Sequence, residues 1–378
     1  MKTIAISGNY FDEDVALLHG SESVRFLRLP FMEEIRTPDA VDNLLDVAAG
    51  ADLLVFRLVG ADPAAFIDVL RTSGRLGAFE KLPLPKVFWT QDSHHRAAGE
   101  ASVQPYFQRA YIAHAAYLDR FDARTAAYLP CAYTASSAAR LYQLNAAPVV
   151  PVRDVAFPHV LYAGAERNAI TFAIHERLQR RNLTAWFGRL HGGEGGETHG
   201  HMLDLLRSSR IVLNVSLADD FNIRNFEAVA MNRAMLTNRV PDHDRSDLDF
   251  RRSWFFRRDL SNFDEALDAA LADDASIDVW RSVPGRHMLI DRYAEIIRRE
   301  LALDLHVRPP AAAPQPAASP RAIAVSDVSA AYSGADLLMH AIWTRLRRHE
   351  YRAAAALLPR IVRYPGVFRR VLQRLRNR

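Results

Sequence analysis

Residues 209–239, SRIVLNVSLADDFNIRNFEAVAMNRAMLTNR, carry the pattern that decides the fold. An apolar run at 211–215 has the length and composition of a buried strand, and a polar loop follows it as far as Asn222. Helical spacing begins near Arg224, and a second apolar run stands at 235–237. A strand, a helix and a further strand in this order predict a parallel sheet with helical crossovers.

The same alternation runs through the chain in two series. In the first series it predicts strands at 3–7, 24–29, 53–58, 87–90 and 111–113, with helices at 38–49 and 63–74. In the second it predicts strands at 160–163, 184–187, 211–215 and 235–237, with helices at 169–181, 201–208 and 224–232. We therefore expect an α/β protein with two doubly wound, Rossmann-like parallel-sheet domains that face a cleft. In such sheets ligands bind beyond the carboxyl ends of the strands.

Proline and small residues mark the expected domain boundaries. The run APVVP at 147–151 separates a first domain, 1–150, from a second domain, 151–304. Proline recurs too often across residues 305–322 for regular structure, so this segment is predicted to be a Pro/Ala-rich linker. Residues 323–378 are predicted to form a short, basic, α-helical C-terminal appendage.

Positive charge is concentrated at the end of the chain. Residues 341–378 contain eleven arginines and one acid, whereas the whole chain has a formal net charge of +4. Apolar side chains fall on one helical face in two stretches: Leu338, Ile342 and Leu346, and then Phe368, Val371, Leu372 and Leu375. Two interpretations stay open. Either the tail contacts an anionic surface such as the inner face of the cytoplasmic membrane, or its apolar faces pack on one another or on the body.

The composition, 49% apolar and 24% charged, is that of a globular protein. No apolar stretch approaches the ~20 residues of a membrane-spanning helix, and no signal peptide is recognisable, so we expect a cytoplasmic protein that is peripheral to the membrane at most. The single cysteine, Cys131, excludes an internal disulfide and a cysteine-built zinc site, and we interpret it as a small buried apolar residue. Nucleic acid is not an expected partner, because the arginines of the tail do not lie beside aromatic stacking platforms.

Asp219 and Glu227 are separated by seven residues across the predicted loop and helix start. This segment resembles the Glu-x7-Glu motif of the group 1 glycosyltransferases, and its Arg-x-Phe-Glu run is most similar to the branch related to spore-coat protein CgeB. The resemblance implies a GT-B fold, in which the second acid accepts hydrogen bonds from the donor ribose and the first faces the transferred sugar. By position these roles fall on Glu227 and on Asp219, which is one methylene shorter than the Glu of the family. A helix-dipole role for Glu227 and a loop-cap role for Asp219 remain open.

The resemblance covers roughly residues 1–300, with gaps. The run FWTQDSHH at 88–95 follows a first-domain strand, and relatives place an Asp and a His of this loop opposite the donor. The resemblance thus implies catalytic roles for Asp92, His94 and His95. A histidine pKa near neutrality suits a proton acceptor for the acceptor hydroxyl, but such a pair is equally typical of a surface loop.

A second set of residues is implied to contact the donor. The run VLYAGAER at 160–167 is similar to the first strand of the nucleotide-binding domain of the family, with its trailing arginine. Together with the helix start, it extends the implied donor site to Gly164, Phe221, Asn222 and Asn225.

Positive side chains and a glycine follow the predicted strands on the cleft side. Breaking a sugar–phosphate bond builds negative charge on the departing diphosphate, which requires positive groups and backbone N–H donors. Arg167 and Arg224 are candidates for this role, and the helix N-terminus near Arg224 adds its dipole. Gly8 and Asn9, directly after the first strand, allow the backbone to approach the same phosphates.

These features predict an enzyme, a glycosyltransferase that moves a sugar from a nucleotide-sugar donor to a glycan, glycolipid or protein acceptor. The resemblance implies retention at the anomeric carbon and no metal or other cofactor. We interpret the glycine-rich run 191–201 and the acid pairs at 242–244 and 247–249 as loop and cap residues instead of metal ligands. Two alternatives stay open: a nucleotide-sugar epimerase of the same architecture, which would convert labelled donor without an acceptor, and a non-catalytic donor-binding or scaffold protein.

Overall fold

The computed structural model describes residues 1–8, 15, 17–19, 23–58, 63–145, 149–159, 165–190, 196–273, 287–307 and 329–364. The strands in these ranges are β1 (Lys2–Ser7), β2 (Leu18–His19), β3 (Val24–Leu29), β4 (Leu53–Leu58), β5 (Lys86–Thr90), β6 (Arg109–Ile112), β7 (Ala126–Tyr128), β8 (Arg153–Pro158), β9 (Ala185–Leu190), β10 (Ser209–Asn214), β11 (Ala234–Asn238), β12 (Ser253–Phe256), β13 (His306–Val307) and β14 (Ser329–Ala331).

The helices in the same ranges are α1 (Pro38–Ala49), α2 (Pro63–Thr72), α3 (Leu76–Glu80), α4 (Ser93–Val103), α5 (Ala135–Asn145), α6 (Arg167–Arg180), α7 (Gly196–Arg207), α8 (Ile223–Ala230), α9 (Phe263–Leu271), α10 (Leu289–Leu301), α11 (Gly334–Arg347) and α12 (Tyr351–Leu357). Short 3-10 turns lie at Met32–Glu34, Gln104–Tyr106, Ala115–Arg120, Pro241–Asp244 and Leu358–Arg363. Of these helices, none is long and apolar enough to cross a membrane.

The first sheet is parallel throughout, in the order β3-β1-β4-β5-β6-β7. Its central strands are covered on both faces, and all four residues from Leu53 to Phe56 are fully buried. This pattern explains the continuous apolar runs in the sequence, because both faces of a parallel sheet with helical crossovers are buried. One side of the core is built around Phe56, whose ring centroid lies 5.3 Å from that of Phe66 and 5.6 Å from that of Phe107.

The second sheet has the order β12-β11-β10-β8-β9-β14. Its strands are parallel except β14, which pairs antiparallel with β9. Two successive parallel sheets, each flanked by helices, confirm the predicted pair of Rossmann-like domains.

The strand predicted at 160–163 lies outside the described residues. The described strand that begins the second sheet is β8, which lies earlier in the chain and pairs with β9 and β10 on its two sides. Arg153 and Asp154 give the start of β8 a polar character that weakens its local apolar pattern. The strand is selected by its pairing on both sides, which a local pattern does not report.

Residues 287–307 follow β12 of the second sheet in sequence but pack on the first domain. Tyr293 of α10 lies edge-on to Trp89, with 6.1 Å between ring centroids. Glu300 accepts hydrogen bonds from Arg109 Nε at 2.7 Å and from Tyr111 Oη at 2.5 Å. The helix α10, which the sequence assigned to the second domain, therefore ties the end of that domain back to the first.

Residues 329–364 belong to the second domain instead of standing apart from it. Strand β14 extends the second sheet beyond β9, and α11 packs against α6. The stripe predicted at Leu338, Ile342 and Leu346 faces this core, where Leu338 is fully buried. Of the two interpretations left open for the predicted appendage, packing on the body thus holds for these residues, because their apolar face is covered by the domain. The second stripe, from Phe368 to Leu375, lies outside the described residues.

Removal of a buried side chain of α11 is expected to destabilise the second domain. Leu338→Ala should lower the free energy of unfolding by about 2–5 kcal/mol, the cost of lost burial plus a cavity. The control Leu358→Ala removes the same atoms from a side chain that is 48% exposed and should change stability by less than about 0.5 kcal/mol. Chemical denaturation measures both variants, and equal effects would show that α11 is not part of the core.

Candidate active site

The carboxyl ends of β8 and β10 define a crevice at the edge of the second sheet. The chain crosses from β8 to β9 on one side of β8 and then returns to β10 on the other side. The connections that leave β8 and β10 therefore diverge, and doubly wound sheets bind ligands at such a switch point. The first of these connections leads to Arg167 at the start of α6, and the second leads to Arg224 at the start of α8.

Arg224 and Glu227 form a buried ion pair in the first turn of α8. Glu227 is fully buried, and Arg224 Nη1 donates to its Oε2. Arg224 Nη2 also lies 2.8 Å from Met202 Sδ. Burial lowers the pKa of Arg224, while the Glu227 carboxylate opposes that shift. Since an isolated charge is costly at such a site, each of the two residues compensates the buried charge of the other.

Arg167 lies beside His159, which directly follows β8. Arg167 Nη1 is 3.5 Å from His159 Nδ1 and 3.5 Å from the carbonyl oxygen of Val215. Burial and the nearby charges of Arg167 and Arg224 lower the pKa of His159 well below its usual value. The His159 imidazole is therefore neutral and lies close enough to both arginines to feel their charge.

The loop after β10 carries two adjacent acids with different surroundings. Asp219 is half exposed, and its Oδ1 lies 3.3 Å from Nη2 of Arg258, which follows β12. Asp220 is buried, which raises its pKa to about 6, although Arg167 and a hydrogen bond from the Leu217 amide favour the carboxylate. The acid with a predicted role at the sugar, Asp219, is thus the more accessible of the two.

The predicted first-domain residues lie at the carboxyl end of β5. Asp92 is partly buried and directly precedes α4. His94 and His95 belong to the first turn of α4, and their side chains lie outside the described part of the structure. Gly8 follows β1 with φ +136°, and a Cβ there would lie 2.7 Å from Cβ of Arg57. This close contact between neighbouring strands is a packing reason for glycine at the switch point of the first sheet.

Three other predicted donor residues have internal partners. Asn222 caps α8, because its Oδ1 accepts from the Arg224 amide at 3.0 Å. Asn225 Oδ1 accepts from His243 Nε2 at 3.2 Å. Phe221 is fully buried, with its ring 5.3 Å from that of Phe226. These side chains shape the loop, whereas the predicted Asn9 and Gly164 lie outside the described residues.

Side chains of the first domain reach the loop between β10 and α8. His114 Nδ1 accepts from the Phe221 amide at 3.0 Å, and Tyr117 Oη donates to the Ala218 carbonyl at 2.6 Å. The carboxyl edges of the two sheets therefore meet at this loop. Sequence reasoning missed these residues, as well as His159 and Arg258. Each of His114, His159 and Arg258 closely follows a strand. Because ligands bind beyond the carboxyl ends of parallel strands, the argument that made Arg224 a candidate applies to these residues too.

The acids at 242–249 have roles in loops and at the domain boundary. Asp242 is fully buried and accepts from the Ala115 amide of the first domain at 2.9 Å. Asp249 accepts from the Arg251 amide at 3.1 Å. Within the described ranges no group of three or more His, Cys, Asp or Glu side chains has an arrangement that would hold a metal ion. The run 191–201 falls in part outside those ranges.

Comparison with known proteins finds a family model that matches part of the second domain. Residues 163–296, which include the ends of β10 and α8, match a family model described as glycosyl transferase-like. A search of curated proteins finds no matching sequence. Two successive Rossmann-like domains are the architecture of a GT-B protein. Part of the second domain is similar to the glycosyl transferase-like family.

Solved structures with a similar fold are distant in sequence. The UDP-GlcNAc 2-epimerase of Methanocaldococcus jannaschii, in complex with UDP-GlcNAc and UDP, is 10% identical with a TM-score of 0.45, over 79% of this chain and 100% of that one. A glycosyltransferase of Rickettsia africae is 10% identical with a TM-score of 0.48, over 79% and 98% of the two chains. The sucrose-phosphate synthase of Thermosynechococcus elongatus is 12% identical with a TM-score of 0.42, over 79% and 95%.

His243 is expected to make stability depend on pH. Burial lowers its pKa from 6.5 in the unfolded chain to about 4. Between these values the unfolded state binds a proton that the folded state does not, so folding stability falls as the pH drops from 6.5 to 4. Relative to His243→Gln, the wild type should lose up to about 3 kcal/mol over this range, as measured by urea unfolding. If the free energies of unfolding of wild type and His243→Gln changed with pH in parallel, His243 would not be the source of the pH dependence. The control is His349→Gln, which replaces an exposed histidine.

Proposed function

We propose that the protein transfers a sugar from a nucleoside-diphosphate sugar to a glycan, glycolipid or protein acceptor, with retention at the anomeric carbon. The observation that carries the proposal is the group of Arg167, Arg224 and Glu227 at the switch point of the second sheet. The region that matches the glycosyl transferase-like family includes all three residues.

Arg167 and Arg224 are the proposed diphosphate ligands. They approach the crevice from two different connections, at the starts of α6 and α8. Charge on the diphosphate grows as the bond to the sugar breaks, so cations that are already in place stabilise the transition state more than the ground state. The backbone N–H groups at the start of α8 add to this field. The arginines thus supply the positive charge that the departing group requires, and the proposed reaction uses no metal or other cofactor.

Glu227 is the proposed ribose ligand. Because Glu227 is fully buried against Arg224, donor binding in this proposal replaces their ion pair. The ribose hydroxyls then donate to the carboxylate, and Arg224 turns to the diphosphate. A nucleoside diphosphate provides both partners at once, so neither buried charge is left alone.

The remaining predicted residues are proposed to surround the sugar and the acceptor. Asp219 is the half-exposed acid of the loop and is the proposed contact of the transferred sugar. Asp92, His94 and His95 follow β5 in the first domain and form the proposed acceptor side, where a histidine takes the proton of the acceptor hydroxyl. A cleft between the domains keeps the donor apart from water until the acceptor arrives.

Glu227→Gln is expected to weaken the binding of a nucleoside diphosphate more than that of inorganic pyrophosphate, because only the nucleotide has a ribose. Loss of a charge-assisted acceptor costs about 1.5–3 kcal/mol, so the ratio of the two affinities should fall about tenfold or more. Calorimetric titration with UDP, GDP, ADP, dTDP and pyrophosphate measures this ratio. Glu227→Gln also releases Arg224 from its ion pair, but this change affects the binding of both ligands and therefore cancels in the ratio.

The matched control is Asp273→Asn. Asp273 forms a buried ion pair with Arg252 in the same domain, with exposures of 7% and 6%. This variant should lose stability in a similar way but keep the wild-type ratio of affinities. An unchanged ratio in Glu227→Gln would remove Glu227 from the ribose site.

We also propose that the last residues hold the enzyme at an anionic membrane face, where glycolipid or polysaccharide acceptors are assembled. Residues 365–378 contain five arginines and no acid, with apolar residues interspersed. Each basic residue near such a surface contributes about 1 kcal/mol. The docked helices α11 and α12 precede this segment in the sequence.

A chain that ends at Tyr364 tests this proposal, because it keeps α11 on the second domain. The full chain should sediment with vesicles of mixed phosphatidylserine and phosphatidylcholine at low salt and dissociate at high salt, as expected for screened charges. The shortened chain should stay in the supernatant. Equal sedimentation of both chains, or of neither, would end the proposal without affecting the assignment of the donor site.

A further inference from the structure

The loop at residues 216–222 adopts a turn that its own residues disfavour. Ala218 and Asp219 have φ values of 64° and 59°, in the left-handed region. Residues with a Cβ avoid this region because the Cβ crowds the following carbonyl. Two such residues in succession persist only where surrounding contacts hold them.

One of the contacts that hold the turn comes from the other domain. Tyr117, in the short helical turn after β6, donates its hydroxyl to the carbonyl oxygen of Ala218 at 2.6 Å. The Tyr117 side chain is partly buried, so water competes for this bond only in part. Within the second domain, the Asp219 carboxylate lies 3.3 Å from Arg258.

Two more first-domain side chains hold the end of the same loop. His114 Nδ1 accepts from the Phe221 amide at 3.0 Å, so the ring proton is on Nε2, which donates to the Gln91 carbonyl at 2.7 Å. Cys131 Sγ lies 3.0 Å from the Phe221 carbonyl and donates to it. A loop of the second domain is therefore bound at three backbone atoms by the first domain. These bonds exist only while the two edges are in contact.

We propose that Tyr117 is a positioning residue that holds the Ala218–Asp219 turn of the opposite domain. His114 and Cys131 hold the end of the same loop, at Phe221. Closure of the domains and the orientation of Asp219 toward the transferred sugar are then a single event. When the domains separate, the turn relaxes and Asp219 leaves the sugar site. This inference rests on the proposed function, because it assigns the sugar contact to Asp219.

Tyr117→Phe removes only the hydroxyl that reaches Ala218. Hydrogen–deuterium exchange of peptides that contain residues 216–222 should become faster by about fivefold, since one hydrogen bond no longer opposes opening. Turnover with the donor should fall by a similar factor. The affinity for UDP should stay unchanged, because UDP lacks the sugar that Asp219 contacts.

Ala218→Gly provides the rescue. Glycine has no Cβ and adopts a positive φ readily, so the turn needs less support from Tyr117. In the Tyr117→Phe background this change should restore at least about half of the lost turnover and slow the exchange of the loop. The control is Tyr106→Phe, which removes a hydroxyl that bonds Arg71 within the first domain and should leave turnover and loop exchange unchanged.

Wild-type exchange of the 216–222 peptides in Tyr117→Phe would overturn the proposal, and so would a failure of Ala218→Gly to restore turnover. A failure of the proposed function is a different result: none of the nucleoside diphosphates would then bind the wild-type protein. The exchange measurement requires no ligand, so it decides whether Tyr117 holds the loop in either case.

Discussion

The parallel pairing of β8 with β10 is the contact on which the candidate site depends. The chain enters the second sheet at β8, and the connections after β8 and β10 leave toward opposite faces. This divergence opens a crevice at the carboxyl edge. Arg167 and Arg224, which are far apart in sequence, reach the same crevice because each begins the first turn of a crossover helix. Any register shift in this pairing would separate them.

Burial determines how the charged groups of the site behave. A charge removed from water requires a partner, so Arg224 and Glu227 pair with each other. Burial and two nearby arginines lower the pKa of His159 well below its usual value, so the imidazole stays neutral. A donor with a diphosphate and ribose hydroxyls matches this arrangement, since it brings an anion for the arginines and donors for the carboxylate. The same cost applies at the domain boundary, where the buried Asp242 carboxylate accepts from a first-domain amide.

The charge and the apolar face of a C-terminal helix fit two different structures: a helix packed on its own chain and a helix bound to a membrane. In α11 the apolar face, with Leu338 and Ile342, packs on the second domain, while Arg347 and Arg348 remain exposed. A membrane-bound helix has the same distribution of side chains. The two structures differ in what covers the apolar face. Strand β14 pairs with β9 and so places α11 next to an apolar surface of the same chain.

Local sequence patterns were enough to predict the two parallel sheets, the sheet edge that is expected to carry the candidate site, and the segment that contains Asp219 and Glu227. These properties follow from local periodicity and from the rule that all strands of a parallel sheet end at one edge. Tertiary structure decided the start of β8, the return of α10 to the first domain and the docking of α11, because pairing and burial join residues that are distant in the chain. It also decided which polar groups pair with one another. Tyr117 and His114 acquire their roles only where the carboxyl edges of the two sheets meet. A local sequence pattern cannot indicate which residue of the other domain they contact.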